Sequence, residues 1–81
     1  MLVPLYGFLA GDTLGLIVLV HAGDRVRDIA TKLVQAALPR VQPYGGELVV
    51  SWRGKDLPLD ATIAEVGLTA LERVDVRERE R

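Results

Sequence analysis

The chain has no cysteine and a single histidine, His21. Without thiols there can be no disulfide staples, no iron–sulfur cluster and no thiolate zinc site. A lone imidazole falls short of the three or four ligands a metal centre needs, so His21, at the expected end of a strand and beside Ala22-Gly23, reads as a loop residue. A basic stripe is also lacking: 10 Lys and Arg residues are interspersed with 11 Asp and Glu, for a net charge of −1. Phosphate neutralisation needs clustered cations, so nucleic acid is not an expected partner. The apolar run Leu14 to Val20 is too short to span a bilayer and reads as a strand. The first basic residue is Arg25, and Pro4, Gly7 and Gly11 interrupt the opening apolar stretch, which is not the build of a secretory signal. The expectation is a cytoplasmic protein with no membrane partner.

What the chain does have is apolar residues in excess. They make up 49% of 81 residues, and a domain of this size has little interior in which to hide them. The whole chain, 1–81, reads as a single domain, and part of its apolar surface must face outward or face a partner.

Leu2 to Leu9 is almost wholly apolar, Ala10-Gly11-Asp12-Thr13 supplies turn chemistry, and Leu14 to Val20 is again apolar, which predicts two strands joined by a tight turn. Val26, Ile29, Ala30, Leu33, Val34 and Ala37 then recur at helical spacing, with Asp24 as the expected N-cap and Pro39 as the stop. Arg40 to Gly46 is an expected loop. Glu47 to Arg53 reads as a third strand, with Leu48, Val50 and Trp52 on one face and Val49, Ser51 and Arg53 on the other. Gly54-Lys55 is the next expected turn. Thr62 and Glu65 have capping-box spacing, and Gly67 suits the left-handed end of a single helical turn. Arg73 to Arg77 reads as a last strand, followed by a charged tail, residues 78–81, expected to fray. This order predicts an α+β fold of β-grasp type: a mixed sheet of four to five strands, one main helix packed across it and one short helical turn.

The segments Trp52-Arg-Gly-Lys-Asp-Leu57, Thr62-Ile-Ala-Glu-Val-Gly-Leu68 and Val74-Asp-Val76 resemble the second half of ubiquitin-like domains. Together with Pro4-Leu5-Tyr6-Gly7-Phe8, the Gly11-Asp12 turn and the strand Ile17 to Val20, they resemble in order the small ubiquitin-like subunit, the B protein, of toluene 4-monooxygenase-type hydroxylases. The resemblance implies a non-catalytic, auxiliary structural subunit of a bacterial multicomponent diiron aromatic monooxygenase. Its partner would be the large catalytic hydroxylase subunit, and the diiron centre would lie there, with no cofactor in this chain. A diiron site needs two Glu-x-x-His pairs on facing helices, which a chain with one histidine cannot provide. The alternative is a free-standing ubiquitin-like adaptor or regulator of the kind associated with type VII secretion.

No residue set argues for chemistry in the chain itself. Asp56, Asp60 and Glu65 fall where turns and caps want acids, and Ser51 has neither a neighbouring base nor a glycine elbow. The Gly45-Gly46 pair is internal, whereas activation for ubiquitin-type conjugation or sulfur carriage needs a terminal carboxylate, and the chain closes on Arg77-Glu-Arg-Glu-Arg81. Conjugation is therefore not expected. The third and last strands carry Ser51, Arg53 and Arg77 where ubiquitin presents an apolar patch, so ubiquitin receptors are not expected partners either. In the first hairpin both alternation classes are apolar. Leu5, Leu9, Ile17 and Leu19 are assigned to the core, because Gly7 and Gly15 share their class and would admit the helix. Tyr6, Phe8, Leu16 and Val18 are assigned to the partner-binding face.

Overall fold

The computed structural model describes residues 1–12, 14–38 and 47–79. Pro39, the expected 40–46 loop with Gly45-Gly46, and the last two residues of the expected tail lie outside the described residues. In chain order the elements are β1 (Leu2–Leu9), β2 (Gly15–His21), α1 (Val26–Ala37), β3 (Leu48–Trp52), β4 (Lys55–Asp56), α2 (Ile63–Val66) and β5 (Arg73–Glu78). The sheet order is β2-β1-β5-β3-β4. β1 and β5 run parallel and the other neighbours antiparallel, which makes the mixed five-stranded β-grasp sheet.

The apolar stripe of α1, namely Val26, Ile29, Ala30, Leu33 and Ala37, is buried against the inner face of the sheet. That face supplies Val3, Leu5 and Leu9 from β1, Val18 and Val20 from β2, Val50 from β3, and Val74 and Val76 from β5. Ile63 and Leu68 close one end. Helix and sheet approach closely at Gly7: a Cβ there would stand 3.0 Å from Leu33 Cδ1 and 3.2 Å from Val18 Cγ2.

Several boundaries differ from the sequence reading. Asp24 does not cap α1; its carboxylate accepts the His21 N–H at 2.8 Å and so finishes β2. The cap position is Arg25, whose N–H donates to the Asp28 carboxylate at 2.9 Å. The orphan amides of the first helical turn find distant carbonyls instead: Val26 N–H donates to Ala61 O at 2.9 Å and Arg27 N–H to Leu59 O at 3.1 Å. The β3–β4 turn is Arg53-Gly54, one residue earlier than expected, with φ of 53° and 79°, the left-handed pair a tight hairpin demands. Glu78 still pairs with Leu48, and Arg79 N–H donates to Glu47 O at 2.8 Å, so the last strand outlasts its expected end. The α2 reading holds: Glu65 N–H donates to Thr62 Oγ1 at 3.1 Å, Thr62 N–H donates to Glu65 Oε1 at 2.8 Å, and Gly67 is left-handed at φ 82°.

Candidate partner-binding surface

With α1 covering the inner face, the outer face of the sheet is the candidate surface. On β1 it carries Leu2, Pro4, Tyr6 and Phe8. The cross-strand partners are His21, Leu19, Ile17 and Gly15 respectively. Leu2 is 51% exposed, Tyr6 43%, Ile17 50% and Leu19 49%. These four side chains form an apolar patch over half the outer face. At about half-exposure each they amount to roughly 400 Å² of accessible surface, within the range of the largest apolar patch on an ordinary monomer.

The face assignment read from sequence is corrected for β2. Val18 is 3% exposed and belongs to the core, and Leu16 is half-buried and packs on it. Ile17 and Leu19, assigned to the core from sequence, lie on the outer face. The reason is register: Leu5 is opposite Val18, and Gly7 opposite Leu16, and residues directly opposite in an antiparallel pair share a face.

Tyr6 and Phe8 do lie on the outer face, but they are not equivalent. The rim of the Phe8 ring packs over Gly15, where a Cβ would come within 2.7 Å of it. The Arg73 guanidinium sits 4.1 Å from the ring centroid, a favourable cation–π distance. Phe8 is thus covered within the chain. Gly15 is glycine because it receives an aromatic ring on the outer face, not because the helix approaches there.

The other half of the outer face is charged and satisfied from within. Arg73 pairs with Asp75 at 3.0 Å, Arg77 with Asp56 at 3.0 Å, and Arg53 with Glu72 at 3.2 Å. The Asp56 carboxyl is held below the usual aspartate range, first by its hydrogen bond from Arg77. Glu72 is held below the usual glutamate range chiefly by the Thr69 N–H, with the Thr69 hydroxyl, Arg53 and the Trp52 indole N–H adding to it. The β2 edge of the sheet is partly blocked as well: Lys32 Nζ donates to Leu19 O at 2.8 Å, and Asp24 occupies the His21 N–H. Both contacts leave the β2 edge less free to pair with another strand.

The acids weighed as a possible acid–base set are dispersed: Asp56 is on Arg77, Asp60 on Arg27, and Glu65 in its cap. Among the described residues no three His, Asp or Glu side chains converge as a metal site, and no helix is long and apolar enough to cross a membrane. His21 stands exposed at the end of β2.

The sheet order, the helix laid across it and the capped turn before the last strand define a β-grasp domain of the ubiquitin-like class. Solved structures agree. Caldiarchaeum subterraneum ubiquitin superimposes with a TM-score of 0.75 at 17% identity, over 100% of this chain and 98% of that one. A chain of the MycP5-free ESX-5 inner membrane complex gives 0.75 at 19% identity, over 99% of this chain and 22% of that one. At those identities the likeness is one of fold. Within the class, the family model described as toluene-4-monooxygenase system protein B (TmoB) matches residues 2–77, and the chain belongs to that family. A chain of the toluene 4-monooxygenase HD complex with the inhibitor 4-bromobenzoate superimposes with a TM-score of 0.91 at 29% identity, over 98% of this chain and 100% of that one. No curated protein sequence matches. Family and structure together make the chain an auxiliary subunit of a monooxygenase.

Proposed function

We propose that the chain is a non-catalytic structural subunit of a cytoplasmic bacterial multicomponent aromatic monooxygenase, bound to the large hydroxylase subunit through the outer face of its first hairpin. The observation that carries this reading is the patch of Leu2, Tyr6, Ile17 and Leu19, each about half exposed on a face that nothing among the described residues covers. Burying an apolar side chain is worth about 1.5–3 kcal/mol, so a few such residues suffice to anchor a lasting interface. The diiron centre of such an enzyme belongs to the large subunit. The residues of this chain do not fit one, since its single histidine lies at a strand end and no Glu-x-x-His pair exists in the sequence. The chain's contribution is therefore structural: it covers apolar surface on the hydroxylase and is covered in return. The adaptor alternative is supported only by a fold-level likeness to a secretion-complex chain at 19% identity.

Co-purification with the large hydroxylase subunit from the native host tests the reading. Ile17→Asp and Tyr6→Glu are expected to abolish capture, and Arg77→Ala to leave it intact. Iron should be found in the complex and not in the isolated chain. Capture that survives both patch substitutions would refute the hairpin interface.

A further inference from the structure

The two edges of the sheet differ in how they resist pairing with another strand. An open edge offers unpaired N–H and C=O groups to any chain that can extend along it, and short length, charge, proline or a covering group counters this. β4 is one edge; it is two residues long, Lys55–Asp56, both exposed. β2 is the other, with seven residues, Gly15–His21. From Gly15 to Val20 it holds neither a charge nor a proline, and Ile17 and Leu19 stand about half exposed. A segment of that composition stacks readily against copies of itself.

The far side of β1 fixes which β2 groups point outward. Tyr6 N–H donates to Glu72 O at 3.0 Å, and Pro4 O accepts the Leu71 N–H at 2.6 Å, so Pro4 and Tyr6 turn their backbone polar groups toward β5. Their cross-strand partners, Leu19 and Ile17, therefore turn theirs away from β1, to the open side. His21 has the same parity and is closed off by Asp24, whose Oδ2 accepts the His21 N–H at 2.8 Å and whose N–H donates to His21 O at 2.9 Å. At Leu19 the carbonyl accepts Lys32 Nζ, which reaches over from α1, at 2.8 Å. The N–H and C=O of Ile17 and the N–H of Leu19 have no partner among the described residues.

The two side chains that close this edge also meet: Lys32 Nζ lies 4.0 Å from Asp24 Oδ2. Both are partly exposed, and an ion pair of that kind adds little to folding stability, while holding a lysine stem in one geometry costs entropy. Folding stability is thus not what the contact serves. The chain has only two lysines, and each stands at a sheet edge, Lys55 within β4 and Lys32 over β2.

We infer that Lys32, braced by Asp24, is a guard on the β2 edge that prevents β2 from pairing antiparallel with the β2 of a second copy of this chain. A second copy is the occupant excluded, because the open stretch is complementary to itself. Pairing about Ile17 sets the N–H of each Ile17 opposite the C=O of the other and brings the apolar side chains of both strands together. The next pair on either side needs the Leu19 carbonyl as acceptor, and Lys32 occupies it and leaves a positive charge there. The inference does not depend on the identity of the monooxygenase partner.

Two variants of the full chain test the guard. Lys32→Ala removes the charge and the donor without adding apolar bulk and keeps a strong helix former; Lys32→Arg keeps both. Sedimentation equilibrium over a concentration series measures association, and circular dichroism at the lowest concentration measures melting. The parent and Lys32→Arg are expected to stay monomeric. Lys32→Ala is expected to associate with a constant raised about tenfold or more, while its melting temperature moves by no more than about 4 °C. In the Lys32→Ala background, Ile17→Pro removes the central edge N–H and should restore the monomer. Ile17→Thr keeps the backbone and the β-branched shape and should leave association in place. Hydrogen exchange reads the edge without a second substitution: the Ile17 and Leu19 amides should become protected in the associated state. An association constant for Lys32→Ala within about twofold of the parent's, or a parent that already pairs through β2, would overturn the guard. Association of Lys32→Ala that Ile17→Thr abolishes, with the Ile17 and Leu19 amides left unprotected, would place the contact on the outer face and overturn it as well.

Discussion

Ile17 and Val49 are β-branched residues on the same outer face of the same sheet, and their surroundings treat them in opposite ways. Val49, opposite Arg77 on β3, is 2% exposed, whereas Ile17, opposite Tyr6 on β2, is 50% exposed. In the β5-β3-β4 half, long charged side chains pair with one another and cover what apolar surface lies beneath. In the β1-β2 half, Phe8 is covered by Arg73 from the boundary, while among the described residues Leu2, Tyr6, Ile17 and Leu19 stay about half exposed. A surface that satisfies its own charges has no need of a partner, and a surface that leaves its apolar side chains in water gains by finding one. The difference teaches where a subunit of this size is incomplete.

The largest expected effect tests which side of the hairpin is which. Val18→Asp places an unpaired charge in the core and is expected to remove more than about 3 kcal/mol, enough to unfold the chain. Ile17→Asp, one position away, should change stability by about 1 kcal/mol or less. Urea unfolding followed by circular dichroism measures both, and similar losses would break the distinction between the faces.

A second comparison sharpens the roles of the two hairpin glycines. Gly7→Ala pushes on Leu33 and Val18 from within a packed core and is expected to cost about 1–3 kcal/mol. Gly15→Ala meets only the rim of the Phe8 ring, which can swing outward, so the loss should stay below about 1 kcal/mol, the scale of the cation–π contact it disturbs. Should Gly15→Ala prove as damaging as Gly7→Ala, Phe8 is locked as firmly as the core and the outer face is less open than its exposure indicates.

The smallest effect concerns the charged half and pH. The Glu72 carboxyl lies below the usual glutamate range in the folded chain, first because of the Thr69 N–H. Its contribution to stability is therefore fully present above the unfolded-state value and is lost as pH falls through the folded one. Stability of the parent should decline between about pH 5 and about pH 3, with Glu72→Gln showing the shallower decline. Equal slopes would mean that the Thr69–Glu72 turn does not depend on the charge of Glu72.

Much of the fold was legible because its signals are local. The α1 stripe repeats within the helix, and the Thr62–Glu65 box and the left-handed Gly67 act within a few residues of each other. The alternation of Leu48, Val50 and Trp52 against Val49 and Ser51 is likewise internal to one strand. The patch was only half legible. Tyr6 and Phe8 were placed on the outer face, while Leu16 and Val18 were exchanged with Ile17 and Leu19, because both faces of these strands are apolar and alternation alone is symmetric. Leu2 gave no sequence signal, since nothing marks a leucine as exposed.

By itself, then, the sequence determined the order of elements, the buried face of each helix, the capped turn before β5 and the exclusion of thiol and histidine-cluster chemistry, because each depends on residue identity and short spacing. Tertiary structure alone decided the rest. It brought Ala61 and Leu59 to the orphan amides of α1, and it replaced the expected Asp24 cap by Arg25. It gathered Thr69, Trp52 and Arg53 around Glu72. It also chose, through the register of β1 against β2, which apolar residues of the hairpin stay in water. Those outcomes depend on groups far apart in the chain, whose meeting is set by how the sheet closes over the helix.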